Sequence, residues 1–269
     1  MQIHVILSIS ESRQACGIAM IESIASSEVQ VHVLWRGLPN LEFQSKSNVH
    51  SYFLKEASLS RSRNFLISSA LDLKLIGDSD VICFADDDGL WPEDLAQRIL
   101  RSFSEPIEWA LGIYGPSVDE VDRKRFPPTN QDTQSIEEIL SRSSSLGLYV
   151  RGNLIKKAGR FDENLGLGAE IGVGEDTEYA VRLFHLATKS PYDPILIQFH
   201  PYGSQNLSSR LTASIRLICY LAGKYSLPKY PVIRRILSLI LRRKINLKTI
   251  TKLPADFWLG HHNRFSHPW

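Results

Sequence analysis

Apolar and polar positions alternate along this chain in two periods, and the two periods take turns. Five short runs rich in branched and aromatic residues read as strands of a buried sheet: IHVILSI (3–9), VQVHVLW (29–35), DVICFA (80–85), EWALGIY (108–114) and PILIQFH (194–200). Between them the period lengthens to that of a helix. SRQACGIAMIESIASS follows the first strand, LSRSRNFLISSAL precedes the third, and PEDLAQRILRSF follows it, with Pro92 in a first turn and Leu95, Ile99 and Phe103 on one face. This order predicts an α/β sandwich with a mostly parallel sheet, in which ligands bind beyond the carboxyl ends of the strands.

One feature falls at such an end. The third strand runs straight into FADDDG, Phe84 to Gly89, three adjacent carboxylates whose mutual repulsion is costly unless a cation or a donor-rich ligand compensates it. A polar turn with a capping role accounts for one or two of them, but a helix cap would be close to Trp91 and the run lies about a turn too early to serve it. Oxygen ligands suit a hard divalent ion such as Mg or Mn. In an extended segment the first and third side chains share a side, so Asp86 and Asp88 can converge while Asp87 points elsewhere.

Two helical patterns carry charge on an inward line. Arg63 continues the stripe of Leu66, Ile67 and Ala70, and a guanidinium there needs an anion, either a structural acid or a ligand; Arg61 faces differently. In GEDTEYAVRLFHLA, Asp176 heads the line of Tyr179, Ala180, Leu183 and Phe184, whereas Glu175 is rotated away from it. A carboxylate in a first turn is favoured in its charged form by the helix macrodipole. Upstream, LGLGAEIGVG holds Gly166, Gly168, Gly172 and Gly174 without the spacing of a dinucleotide fingerprint, and reads either as a flexible loop through which a ligand can approach Asp176 or as a turn-rich connection. The polar segment 115–135 reads as a second loop.

Taken together, SLSRSRNFLI (58–67), FADDDGLWPEDL (84–95), GRFDENLGLGAE (159–170) and GEDTEYAVRLF (174–184) resemble the family 2 glycosyltransferases of the GT-A fold, in that family's order and over about three quarters of the chain. The resemblance implies a GT-A, Rossmann-like α/β/α sandwich that moves a sugar from a nucleotide-diphosphate donor to the hydroxyl of a glycan or lipid-linked acceptor. It implies Asp86 and Asp88 on the metal, Mn or Mg, and Arg63, Asp86 and Asp87 on the donor. It implies Asp176 of the ED pair as base, with Glu175 on the acceptor side, and inversion at the anomeric carbon. His200, at the end of the last predicted strand, is implied as a third metal ligand. One departure stands out: where the family often carries an Asp at the end of the second strand that reads the nucleotide base, this chain has LWRG, Leu34 to Gly37. The alternatives are a phosphohydrolase using the same Asp run, set back by Leu90 where such enzymes carry Thr or Val, and a sugar- or cation-binding module without turnover.

Composition agrees with a catalytic domain over 1–207 and changes after it. The 269 residues, 43% hydrophobic and 22% charged, can bury a sizeable core. Residues 208–269 form a basic helical extension: between Leu211 and Lys252 there are ten Lys or Arg and no Asp or Glu, in a chain whose net charge is +2. Such a tail either packs on the domain or lies against an anionic membrane surface, with VIRRILSLILRRK (232–244) as its amphipathic part. Nucleic acid is not expected, since the rest of the chain has no matching basic motif. Cys16, Cys83 and Cys219 make neither a paired framework nor a CxxC motif, and the first residues lack a basic leader, so the expected place is the cytoplasm, peripheral at the inner membrane face. The aromatic and histidine-rich end, FWLGHHNRFSHPW, is unexplained at this level.

Overall fold

The computed structural model describes residues 1–24, 29–37, 46–117, 119–120, 131–132, 135–189, 191–200, 207–226 and 247–263. The elements are β1 (Ile3–Ser10), a 3-10 turn (Glu11–Arg13), α1 (Gln14–Ile24), β2 (Val29–Arg36), β3 (Val49–Leu54), α2 (Leu59–Asp72), β4 (Val81–Ala85), α3 (Leu95–Ser102), β5 (Trp109–Gly115) and β6 (Gln131–Asp132). They continue with α4 (Ile136–Arg142), β7 (Leu148–Arg151), α5 (Gly152–Ala158), α6 (Glu175–Leu186), β8 (Pro191–Phe199), α7 (Leu207–Tyr225) and α8 (Leu247–His262).

The strands form one sheet in the order β3-β2-β1-β4-β7-β5-β8-β6. β3, β2, β1 and β4 are parallel neighbours, as are β5 and β8, while β7 runs against both β4 and β5. The chain leaves β1 toward β2 and β3 on one side and returns to β4 on the other, so the crevice at the carboxyl ends of β1 and β4 is the switch point of the sheet. All five residues of β4 are buried, as expected of a central strand covered on both faces.

Two apolar layers sandwich the sheet. On one face Ile6, Ile82, Phe84, Leu111 and Val150 pack against Leu66, Ile67 and Ala70 of α2, Leu154 and Ile155 of α5, and Tyr179, Ala180 and Leu183 of α6. On the other, Val5, Leu7, Ile9 and Cys83 meet Met20, Ile21 and Ile24 of α1 and Leu95, Ala96 and Ile99 of α3. Each such side chain contributes roughly 1.5–3 kcal/mol by leaving water. The expected α/β/α sandwich is therefore the fold, with β3, β6 and the reversed β7 added to it. α3 starts at Leu95, three residues after Pro92, whose carbonyl accepts from Leu95 N at 3.0 Å. The Asp run is thus even further from any cap.

The extension begins on the domain. α7 lies over the end of the 160s loop, where Leu217, Tyr220 and Leu221 share a cluster with Leu165 and Ile171. α8 crosses α7 at contact distance: a Cβ on Gly223 would lie 2.0 Å from the Phe257 carbonyl oxygen, and one on Gly260 2.0 Å from that of Tyr220. Among the described residues, Arg216 pairs with Glu170 and Asp256, and Lys224 with Asp162 and Glu178. The amphipathic stretch 232–244 and most of 115–135 lie outside the described residues. Among the described residues no helix is long and apolar enough to cross a membrane. Of the aromatic tail, Trp258 on α8 is 58% exposed beside His261 and His262.

Candidate active site

β4 ends at Ala85, and the chain turns at once, Gly89 N donating to Asp86 O at 3.2 Å. Leu90 exchanges backbone hydrogen bonds with Phe199 at the end of β8, 2.8 and 3.2 Å, which carries His200 to the Asp run. In this turn Asp87 faces away from Asp86 and Asp88. His200 Nε2 lies 2.9 Å from Asp88 Oδ1 and 3.8 Å from Asp86 Oδ2, so the three expected metal ligands do meet. Asp87 turns to the other side. It is 8% exposed and accepts from Ser10 N at 3.1 Å and Ser10 Oγ at 3.3 Å, tying the ends of β1 and β4 together. Of the expected donor-side residues it is the one not brought to Arg63.

Arg63 is 2% exposed in the middle of α2, whose start is capped by Ser58 Oγ accepting from Arg61 N. Its guanidinium lies near the rings of Phe84 and Phe161, 5.4 and 5.6 Å from their centres, where a cation is favoured by the aromatic faces. Nη1 donates to Glu175 Oε1 at 2.9 Å; Nη2 is 3.7 Å from Asp86 Oδ1, beyond hydrogen-bond reach, and is a buried donor without a partner. Burying a cationic donor unsatisfied is expensive, and the crevice is where an acceptor would relieve it. Arg61 is exposed, as its position on the helix predicts.

Glu175 corrects the sequence reading. It is not turned outward but buried at 6% exposure, because α6 is covered on more than one face: Glu178 and Tyr179, three and four residues on from it, are both fully buried. Burial, and then the neighbouring Asp176 charge, push its carboxyl up to about 7 against the pull of Arg63.

Asp176 is half-buried in the first turn of α6. Ser145 N donates to Oδ2 at 2.9 Å and Thr177 N to Oδ1 at 2.7 Å, so the backbone fixes its orientation. Burial pushes Asp86 up as well, and Asp176 and Asp88 add to that push while Arg63 and His200 oppose it. Asp176 therefore shares one field with the Asp run. The glycine loop closes the site from the side: Ser60 Oγ donates to Leu165 O at 2.5 Å, and Gly166 lies against both Ser60 and Glu175.

Two cations here escaped the sequence reading. Arg13, on the turn after β1, reaches Asp87 Oδ1 at 3.3 Å and pairs with Asp88 Oδ2. Arg36, the last residue of β2, gives Nη1 to Ala57 O at 3.4 Å and leaves Nε buried without a hydrogen-bond partner. Burial lowers its affinity for a proton, and Arg63 adds to that. The only sequence signal was the departure at LWRG; Arg13 had none.

The donor types at Asp86, Asp88 and His200 suit a hard divalent ion, with oxygen ligands first and an imidazole that Mn accepts. Their spacing is that of hydrogen-bonded partners, and among the described residues no three such side chains already surround a common point. A cation would fit by exchanging for the His200 and Arg13 contacts of Asp88.

No protein-family model and no curated relative matches the sequence. Solved structures do. S. aureus TarS, residues 1–349, is similar with a TM-score of 0.67 at 15% identity, over 98% of this chain and 82% of that one. Against a longer TarS structure the chain spans 44% of its length. The mannosyltransferase PcManGT from Pyrobaculum calidifontis, in complex with GDP-Man and Mn2+, is similar with a TM-score of 0.54 at 11% identity, over 98% of this chain and 86% of that one. A mycobacterial protein is similar with a TM-score of 0.55 at 15% identity, over 84% and 76% of the two chains. The fold is the GT-A α/β architecture that the sequence motifs imply.

Proposed function

We propose that this protein is a glycosyltransferase that moves a sugar from a nucleotide-diphosphate donor to an acceptor hydroxyl. The observation that carries the reading is the meeting, at the switch point of the sheet, of Asp86 and Asp88 with His200, of Asp86 and Glu175 with a partly unsatisfied Arg63, and of Asp176 in the same field. Similarity to a mannosyltransferase holding GDP-Man and Mn2+ supports it at the level of the fold.

In this reading Asp176 takes the proton of the acceptor hydroxyl as its oxygen bonds to the anomeric carbon. The bond from that carbon to the phosphate oxygen breaks on the opposite face, and the nucleoside diphosphate leaves with the electron pair. The configuration inverts. Arg63, its Nη2 free for an acceptor, receives developing charge on the diphosphate, and Arg36 and Arg13 add positive potential on the β1–β2 side. Asp86, Asp88 and His200 would hold Mn or Mg, which supplies charge stabilisation for the departing diphosphate. Glu175 orients Arg63 and borders the acceptor side. The basic stretch of the extension outside the described residues is suited to an anionic membrane carrying a lipid-linked acceptor.

The test is a panel of nucleotide sugars incubated with the purified chain, Mn and candidate glycan or lipid-linked acceptors. Release of nucleoside diphosphate matched by glycosylated acceptor supports the reading. Release of free phosphate from simple phosphate esters would favour hydrolysis. Binding without turnover would favour a sugar-binding module.

A further inference from the structure

Behind α6, away from the crevice, four charges are buried together. Lys224 on α7 places Nζ 2.6 Å from Asp162 Oδ2 and 2.9 Å from Glu178 Oε1, with the three side chains 3%, 0% and 0% exposed. Arg182 pairs with the other Glu178 oxygen, and Tyr220 of α7 donates to Asp162 Oδ2. Two acids and two bases make a neutral set, which is how buried ions are tolerated.

The set's position matters more than its existence. Asp162 opens the loop that passes Leu165 and Gly166 at the site, its Oδ1 accepting from Asn164 N at 3.1 Å, and Glu178 lies in the turn of α6 that begins with Glu175 and Asp176. One ammonium thus ties both ends of the segment that carries the base. About two turns earlier on α7, Leu217 lies on Gly174: a Cβ there would come within 2.2 Å of Leu217 Cδ2, at a residue whose φ of 90° already favours glycine.

We propose that Lys224 is a positioning residue of the transfer reaction, acting through Asp162 and Glu178 to hold the first turn of α6 against the acceptor. The proposal rests on the glycosyltransferase reading above. An apolar contact in its place would fill the space without fixing the direction of either carboxylate, whereas proton transfer in the reacting complex depends on placement. A displacement of about 1 Å can cost about 100-fold in rate. The C-terminal extension is by this account part of the catalytic unit.

The experiment compares full-length wild type with Lys224→Met, Lys224→Arg and Tyr220→Phe at a temperature well below unfolding. It measures kcat and acceptor KM per folded molecule, nucleoside-diphosphate affinity with Mn, and amide exchange over 162–178. Expected for Lys224→Met are a kcat at least 10-fold lower, nucleotide affinity within 2-fold of wild type and faster exchange in that segment, with partial recovery in Lys224→Arg. If Lys224→Met does not fold, Tyr220→Phe, which removes the hydroxyl that donates to Asp162 and no charge, must show the same pattern at smaller amplitude. Unchanged kcat in the folded variants, or a loss shared equally by nucleotide binding, overturns the proposal and leaves the glycosyltransferase reading standing. A wild type that transfers no sugar overturns that reading instead.

Discussion

Arg63 and Glu175 stand 112 residues apart in the chain, and a hydrogen bond of 2.9 Å joins them beneath the crevice. The pair links α2 to the first residue of α6 and turns the remaining edge of the guanidinium toward Asp86. Removing the cation alone leaves Glu175 buried without its ion partner. Arg63→Met is expected to destabilise the fold by about 3–5 kcal/mol at neutral pH. Glu175→Gln, which keeps an acceptor, should cost less. Urea unfolding of both variants checks the order, and equal costs would contradict it.

Asp88 carries the opposite expectation. Its partners, His200 and Arg13, both reach solvent, and its removal relieves repulsion from Asp86. Asp88→Ala should unfold within about 1 kcal/mol of wild type, as surface ion pairs do, yet lose Mn-dependent nucleotide binding by about 10-fold or more. Calorimetric titration with and without Mn reads this directly. Unchanged binding removes Asp88 from the metal assignment.

The lower half of the sheet holds a titratable group the site does not use. His4 and His32 are fully buried, stacked at 5.3 Å with Nδ1 of one 3.0 Å from Nε2 of the other; His50 stacks on His32 at 5.0 Å and Asp80 lies 3.4 Å from His4. Burial, then the neighbouring histidines, push His32 down to about 3, and burial lowers His4 despite Asp80. The unfolded chain binds these protons near pH 6.5 and the folded chain does not. Their contribution is therefore complete above pH 6.5 and is lost as pH falls below it, by up to about 1.4 kcal/mol per pH unit for each histidine. His32→Phe should flatten the acid limb of stability measured by urea unfolding between pH 6.5 and 4. An unchanged slope would contradict the assignment.

The α7–α8 crossing depends on two missing side chains. Gly260→Val would put a branched group on the Tyr220 carbonyl, 2.0 Å from its Cβ, and force the helices apart. Overpacking of this kind costs about 1–3 kcal/mol. Amide exchange should quicken across α8 while nucleotide binding stays as in wild type. Protection unchanged along α8 would show that the crossing is looser than described.

What was legible in the sequence was whatever a short period could carry. Asp87 faces away from Asp86 and Asp88, as alternation suggests, but through a tight turn closed by Gly89 N on Asp86 O and not through extended backbone; Arg63 is buried because it continues the stripe of Leu66 and Ile67. Glu175 faces inward, against the reading of one inward line, because α6 is buried along Glu175, Glu178 and Tyr179 as well as along Tyr179, Ala180 and Leu183. β3 was missed because only Val49 of its six residues is buried, and β7 because four residues running against the parallel order carry no period of their own. Arg13 meets its acids across 74 and 75 residues and Lys224 across 46 and 62, distances at which no local pattern operates. The motif resemblance, not periodicity, pointed from the Asp run to sugar transfer.

The most direct measurement follows nucleoside diphosphate release and acceptor glycosylation by wild type and Asp176→Asn in parallel, with the donor that the panel identifies and with nucleotide affinity measured on the same samples. The asparagine keeps the size of the side chain and can still accept from Ser145 N, so the first turn of α6 should stay in place. The account predicts sugar transfer by wild type, and in the variant a turnover lower by about 100-fold or more with nucleotide affinity within a few-fold. Near-normal turnover in Asp176→Asn would move the base to Glu175, and absence of transfer by wild type from every donor and acceptor tried would contradict the account as a whole.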